Sequence, residues 1–118
     1  MKDIEIDVHE EGEGELVPKF SIVTVHYTGK FENGEVFDSS VTKGIPFKFK
    51  VGAGQVIAGW DIGICKLRKG AKATFTIPPH FGYGANGYPP AIPPNATLTF
   101  AIDVIDFEED TREAEDKN

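Results

Sequence analysis

Val56-Ile57-Ala58-Gly59-Trp60-Asp61, continuing through Ile62-Gly63-Ile64, is the stretch of this chain whose apolar residues recur at helical rather than strand spacing. Ile57, Trp60 and Ile64 share one helical face, which predicts a short helix over 56–64. Gly59 and Gly63 interrupt it. A glycine costs about 1 kcal/mol in a helix interior, so tertiary packing must hold this helix. Its indole is the only one in the chain. Trp is large and carries an N–H that wants a partner, so here it either plugs a core or floors a pocket.

Around the helix the pattern alternates with period two, the signature of half-buried strands. Ile4, Ile6 and Val8 alternate, and so do Val23, Val25 and Tyr27 within 20–31. Asn33-Gly34 is a hairpin signal, with Val36-Phe37-Asp38 as the return strand. Phe47, Phe49 and Val51 alternate with lysines, Ala71, Ala73, Phe75 and Ile77 follow a Lys69-Gly70 turn, and Leu98, Phe100, Ile102 and Val104 lie in the longest run, 97–107. The expected architecture is α+β: an antiparallel five- to six-stranded sheet curled around one short helix. Two loops remain, a polar one over 39–46 and one over 78–95. The second holds six prolines, three glycines and three aromatics. A loop of that length in a compact domain usually has a function.

Composition narrows the classes. At 118 residues with 40% hydrophobic content, the chain suits one globular domain. No apolar run reaches the roughly 20 residues of a membrane span, and Met1 to Asp7 lacks a signal peptide's apolar region. Cys65 is the single cysteine, which rules out an internal disulfide and favours a cytoplasmic setting, with the nucleus equally compatible. A net charge of −7 argues against nucleic acid and acidic lipid as partners. Much of it lies in Glu10 to Glu15 and from Glu108 onward, read as a solvated loop and a flexible acidic tail. The expected division is an N-terminal strand and acidic loop over 1–13 that form part of the domain, the body of the domain over 14–107 and the tail over 108–118. His9, His26 and His80 show no metal-ligand spacing, and no cofactor or metal is expected.

Six segments can be taken together: His26-Tyr27-Thr28-Gly29, Phe37-Asp38-Ser39-Ser40, Pro46-Phe47-Lys48-Phe49, Val56 to Asp61, Phe81-Gly82-Tyr83-Gly84 and Ile92-Pro93-Pro94-Asn95-Ala96-Thr97-Leu98. In order and spacing, from about Gly14 to Phe107, they resemble the FKBP-type peptidyl-prolyl isomerases. The resemblance implies a sheet curled on a short helix, cis/trans isomerisation of X–Pro bonds, and tacrolimus and rapamycin as drug ligands. It implies proline-containing peptides and proteins as partners, calcineurin as partner of a drug-bound form, and action as a monomer.

Carried over residue by residue, the resemblance implies Tyr27, Phe37, Asp38, Tyr83 and Phe100 as the catalytic set. It implies Phe47, Gln55, Val56, Ile57, Trp60, Tyr88 and Ile92 as the binding set. This is an apolar aromatic bowl with a few polar points. The X–Pro amide loses conjugation as it twists through a barrier of ~18–20 kcal/mol, so a dry pocket favours the twisted form and no nucleophile is needed. Trp60 would lie beneath the proline ring, with Phe47, Val56, Ile57 and Phe100 around it. The Ile57 N–H and the Tyr83 hydroxyl would hold peptide carbonyls, while Tyr27, Phe37 and Phe100 turn ring edges to the rotating oxygen. Asp38 would act through its field, hydrogen-bonded to Tyr27.

Read without the resemblance, Tyr27, Phe37 and Phe100 are core residues, Asp38 is a turn or cap residue, Tyr83 an exposed loop aromatic and Trp60 a core plug. Lys43 stands where the family often has arginine, which weakens a bidentate brace onto Asp38. Gln55, Tyr88 and Ala91 also depart from the best-known members, all around the rim. The alternative function is a non-catalytic module that holds proline-containing segments in the same bowl.

Overall fold

The alternating segments become strands in the computed structural model of the chain, which describes residues 3–110. In chain order the elements are β1 (Glu5–Glu10), β2 (Glu13–Leu16), β3 (Ile22–Phe31), β4 (Val36–Ser39), α1 (Ser40–Lys43), β5 (Phe47–Lys50), α2 (Ala58–Gly63), β6 (Arg68–Lys69), β7 (Lys72–Ile77) and β8 (Leu98–Glu108). Single 3-10 turns occupy Ile64–Lys66 and Pro79–Phe81. Six strands form one antiparallel sheet in the order β1-β7-β8-β3-β4, with β5 also paired to β3. Strand β3 is the organiser. One edge pairs with β8 from Ile22 to Phe31, while the other edge is shared, first by β5 opposite Ile22 to Val25 and then by β4 opposite Thr28 to Lys30.

The inward residues match the alternation. Val23 and Val25, Ala73, Phe75 and Ile77, and Leu98, Phe100, Ile102 and Val104 are all buried, each large aliphatic or aromatic contributing about 1.5–3 kcal/mol. Helix α2 and the 3-10 turn after it press Trp60 and Ile64 into that face. Its two interrupting glycines are what permit the approach. A Cβ on Gly59 would lie 2.8 Å from Ile77, and one on Gly63 would lie 2.6 Å from the Phe75 ring. The propensity lost at these positions is offset by packing that no side chain would allow.

Four local differences from the sequence expectation have clear causes. The helix begins at Ala58 rather than Val56, because Ile57 is extended and its carbonyl accepts the first helical N–H groups, from Trp60 and Asp61. After Gly63 it tightens into the 3-10 turn. The polar loop over 39–46 contains the helical turn α1, capped by the Ser39 hydroxyl on the Thr42 N–H and closed by Gly44 at φ 72°. The acidic Glu10–Glu15 stretch overlaps β2, which pairs with β6 while its side chains stay exposed. At the C-terminus, β8 runs through Glu108, and the Asp110 carboxylate reaches Lys50 Nζ at 3.3 Å. The part of the expected tail over 111–118 lies outside the described residues, as do residues 1–2.

Candidate active site

Strands β3, β4, β5 and β8, helix α2 and the loop after β7 each send side chains into one cavity of about 280 Å³. Its lining comprises Tyr27, Phe37, Asp38, Phe47, Gln55, Val56, Ile57, Trp60, Tyr83 and Phe100. All ten were expected from the sequence. The other two expected residues do not line it. Tyr88 and Ile92 face each other across a β-bridge, an arrangement that buries Ile92 and leaves Tyr88 65% exposed. Tyr88 meets the Tyr83 ring 5.8 Å away.

Trp60 is both core and floor. It is only 4% exposed, yet it lines the cavity. Tyr27, Phe100 and Phe47 meet its ring edge-to-face at 5.0, 5.2 and 6.1 Å between centroids, a geometry that adds about 0.5–1.5 kcal/mol per pair beyond burial. Phe49 packs against it at 5.7 Å and stacks on Phe47. The indole Nε1–H is buried, and among the described residues it has no nitrogen or oxygen acceptor. Aromatic rings surround it, and a ring face is a weak acceptor.

Neighbours along a strand normally point to opposite faces, yet Phe37 and Asp38 enter the same cavity. The pairing explains this. Gly29 pairs with Asp38 and Lys30 with Val36, which leaves Phe37 as the extra residue of a β-bulge that redirects side chains. Gly29 also pairs with Phe100 on its other side. A Cβ there would lie 2.7 Å from the Phe37 ring and 2.8 Å from the Phe100 ring. Its missing side chain is the space those two rings occupy.

The polar points are concentrated on Asp38. The Tyr27 hydroxyl donates to Asp38 Oδ2 at 2.6 Å, and Lys43 Nζ lies 2.8 Å from Oδ1. Burial alone would raise the Asp38 carboxyl, but the Lys43 ammonium, the Tyr27 hydroxyl and the Ser39 N–H together hold it below the usual carboxylate range. Burial, then the adjacent carboxylate, push the Tyr27 phenol far above its ordinary value. Burial, Asp38 and Tyr88 raise Tyr83. At neutral pH the site therefore presents one carboxylate and two protonated phenols. His26, outside the lining as its strand parity requires, places Nδ1 2.9 Å from the Ser40 hydroxyl, whose oxygen accepts the Tyr27 N–H at 2.7 Å. This pins the backbone that carries Tyr27.

Sequence reasoning underrated several contributors. Lys43 makes the single-point contact on Asp38 that its ammonium allows. Phe31 stacks on Phe37 at 4.7 Å, and Phe49 supports Phe47. Both are visible as the alternating neighbours of site residues. Cys65 lies outside the lining, its thiol raised by burial and by Asp61 against an opposing pull from Lys19. Among the described residues, no three His, Cys, Asp or Glu side chains converge as metal ligands would, so the arrangement offers shape, ring edges and one fixed negative field.

The sequence profile of the FKBP-type peptidyl-prolyl cis-trans isomerase family matches residues 14–105. The chain belongs to this family. FKBP-type proteins named FK506-binding protein 1 are 53% identical to it in Dictyostelium discoideum (88% of this chain, 97% of the relative) and 50% identical in Saccharomyces cerevisiae (87% and 91%). A Schizosaccharomyces pombe relative named peptidyl-prolyl cis-trans isomerase is 47% identical, over 86% of this chain and 92% of its own. Among solved structures, AtFKBP13 superposes with a TM-score of 0.85 at 37% identity, covering 89% of this chain and 93% of that one. The expected FKBP fold and the peptidyl-prolyl isomerase activity both stand. No helix among the described residues is long and apolar enough to cross a membrane.

Proposed function

We propose that the isomerisation takes place in the cavity over Trp60, and that tacrolimus- or rapamycin-type macrolides compete there with X–Pro peptides. The observation that supports this reading is the convergence of Tyr27, Phe37, Asp38 and Phe100 around one indole. A proline ring lies flat on Trp60, enclosed by Phe47, Val56 and Ile57. Among the described residues no hydrogen bond engages the Ile57 N–H or the Tyr83 hydroxyl, so both are free to donate to peptide carbonyls. As the amide twists it loses C–N double-bond character, and ring edges of Tyr27, Phe37 and Phe100 stabilise the turning oxygen. Asp38 takes no proton; it fixes Tyr27 and sets the field. Each tenfold of acceleration needs about 1.4 kcal/mol, within reach of several such contacts together.

The test is cis-to-trans relaxation of a short Xaa-Phe-Pro-Xaa peptide with and without tacrolimus, followed alongside Trp60 fluorescence. Acceleration abolished by stoichiometric drug, with a Trp60 response, is the expected result. Acceleration that survives saturating drug overturns the shared cavity. A Trp60 response without any acceleration favours the binding module. The same proposal places the protein in the cytosol as a monomer. It includes a tacrolimus-dependent complex with calcineurin, checked by co-elution with and without drug, since Tyr88 and Ala91 alter the rim such a partner would meet.

A further inference from the structure

Asp61, next to the floor residue Trp60, reaches backwards out of the first turn of α2. Its Oδ1 accepts the Gly52 N–H at 2.8 Å and its Oδ2 accepts the Gly54 N–H at 3.1 Å. Both glycines are left-handed, at φ 82° and 75°, a conformation that turns N–H groups toward an anion and that other residues resist. The segment they belong to runs from the end of β5 to α2 and supplies Gln55, Val56 and Ile57 to the cavity. Ala53, Gly54 and Gln55 are exposed, so apolar burial does little to hold its middle. Other hydrogen bonds restrain it at Gln55 and at its Ile57 end. The Lys50 N–H donates to Gln55 Oε1 at 2.9 Å, and the Ile57 carbonyl accepts from Trp60 and Asp61 at 3.0 and 3.3 Å.

We propose that Asp61 is a positioning residue for the isomerase: its carboxylate ties the 52–57 segment to the helix that carries the floor, setting the height of the Ile57 N–H and the Val56–Ile57 wall above Trp60. Asp61 itself does not line the cavity. The proposal rests on the reading of that cavity as the site of reaction. A wall and a carbonyl anchor act on the bound peptide in ground and transition states alike, so their displacement raises KM and leaves kcat nearly unchanged. Misplacing a positioning group by 1 Å costs on the order of 100-fold. With the segment's other hydrogen bonds intact, about a tenfold rise in KM is expected for Asp61→Ala.

Steady-state isomerisation of the Xaa-Phe-Pro-Xaa peptide is measured for Asp61→Ala, Asp61→Asn and Asp61→Glu, with folding checked by near-UV circular dichroism. Asp61→Asn keeps one acceptor but turns an amide N–H toward Gly54, and falls between Asp61→Ala and the parent. Asp61→Glu keeps both acceptors and restores KM to within about threefold. A folded Asp61→Ala with parental KM overturns the proposal, and so does one whose kcat falls while KM stays. Should Asp61→Ala not fold, parental KM in the near-isosteric Asp61→Asn overturns it. Saturating tacrolimus separates the two readings. Acceleration abolished by the drug, with KM unmoved in the Asp61 variants, sinks the positioning role and leaves the cavity; acceleration that survives the drug sinks the cavity and the positioning role with it.

Discussion

Tyr27 donates its phenolic hydrogen to Asp38 at 2.6 Å, and the same carboxylate takes the Lys43 ammonium on its other oxygen. One acid is thus held from two sides at the mouth of an aromatic cavity. Asp38→Val removes the field while keeping the side chain short and branched. It should lower kcat/KM by roughly tenfold or more, a loss of about 1.4 kcal/mol or greater in transition-state binding. Because the Lys43 contact is solvent-exposed, stability should change by only about 1 kcal/mol, a melting shift of less than about 8 °C. Unaltered peptide turnover in this variant would remove Asp38 from the mechanism.

The pH dependence follows from the same pair. The Asp38 carboxyl is lowered in the folded protein, so its contribution is complete above the ordinary aspartate value of about 3.9 and fades as pH falls through the lower folded value. Tyr27 is raised, so its contribution is complete below the ordinary phenol value of about 10 and is lost only as pH climbs through the higher folded one. A kcat/KM profile flat from about pH 5 to 9 is expected. An inflection near neutrality would contradict these protonation states.

Gly29→Ala tests the space between two rings. The added methyl meets Phe37 and Phe100 at less than 3 Å, an overpacking that costs about 1–3 kcal/mol. Both rings line the cavity, so kcat/KM should fall even where the variant is fully folded. Thermal melting read beside peptide turnover checks both parts. A drop in stability with parental kcat/KM would show that the rings relax without moving the site.

Trp60→Ala should cost about 3–5 kcal/mol, the usual loss for a buried indole, because the same ring closes the core and floors the cavity. Trp60→Phe keeps a flat apolar surface, and should retain more than half of that stability while weakening macrolide affinity by about tenfold. Urea unfolding and a drug titration supply the two readings. Equal affinity in Trp60→Phe would mean that the indole's breadth is irrelevant to binding.

Much of the fold was legible. Alternation at Val23, Val25 and Tyr27 and from Leu98 to Val104 marked the inward faces, because strand geometry has a fixed period of two. The elements not anticipated are short: α1, β2 and β6. A four-residue helix or a two-residue strand has too little periodicity to read, and each exists through a cap or a partner that lies elsewhere in the chain. The cavity set was legible through the order and spacing of its motifs rather than from any single residue. Tyr88 and Ile92 fell outside it because a β-bridge sends one outward and the other into the core.

The sequence by itself determined the longer strands and the helix around Trp60, since periodicity and residue type are local properties. Only the tertiary structure decided how those residues meet. A bulge at Phe37 turns two neighbours into one cavity. A missing side chain at Gly29 admits two rings, and a carboxylate at Asp61 reaches back to Gly52 and Gly54 to hold the wall over the floor. The reason is physical: register, close approach and hydrogen-bond reach depend on which strands lie side by side, and no spacing along one strand contains that.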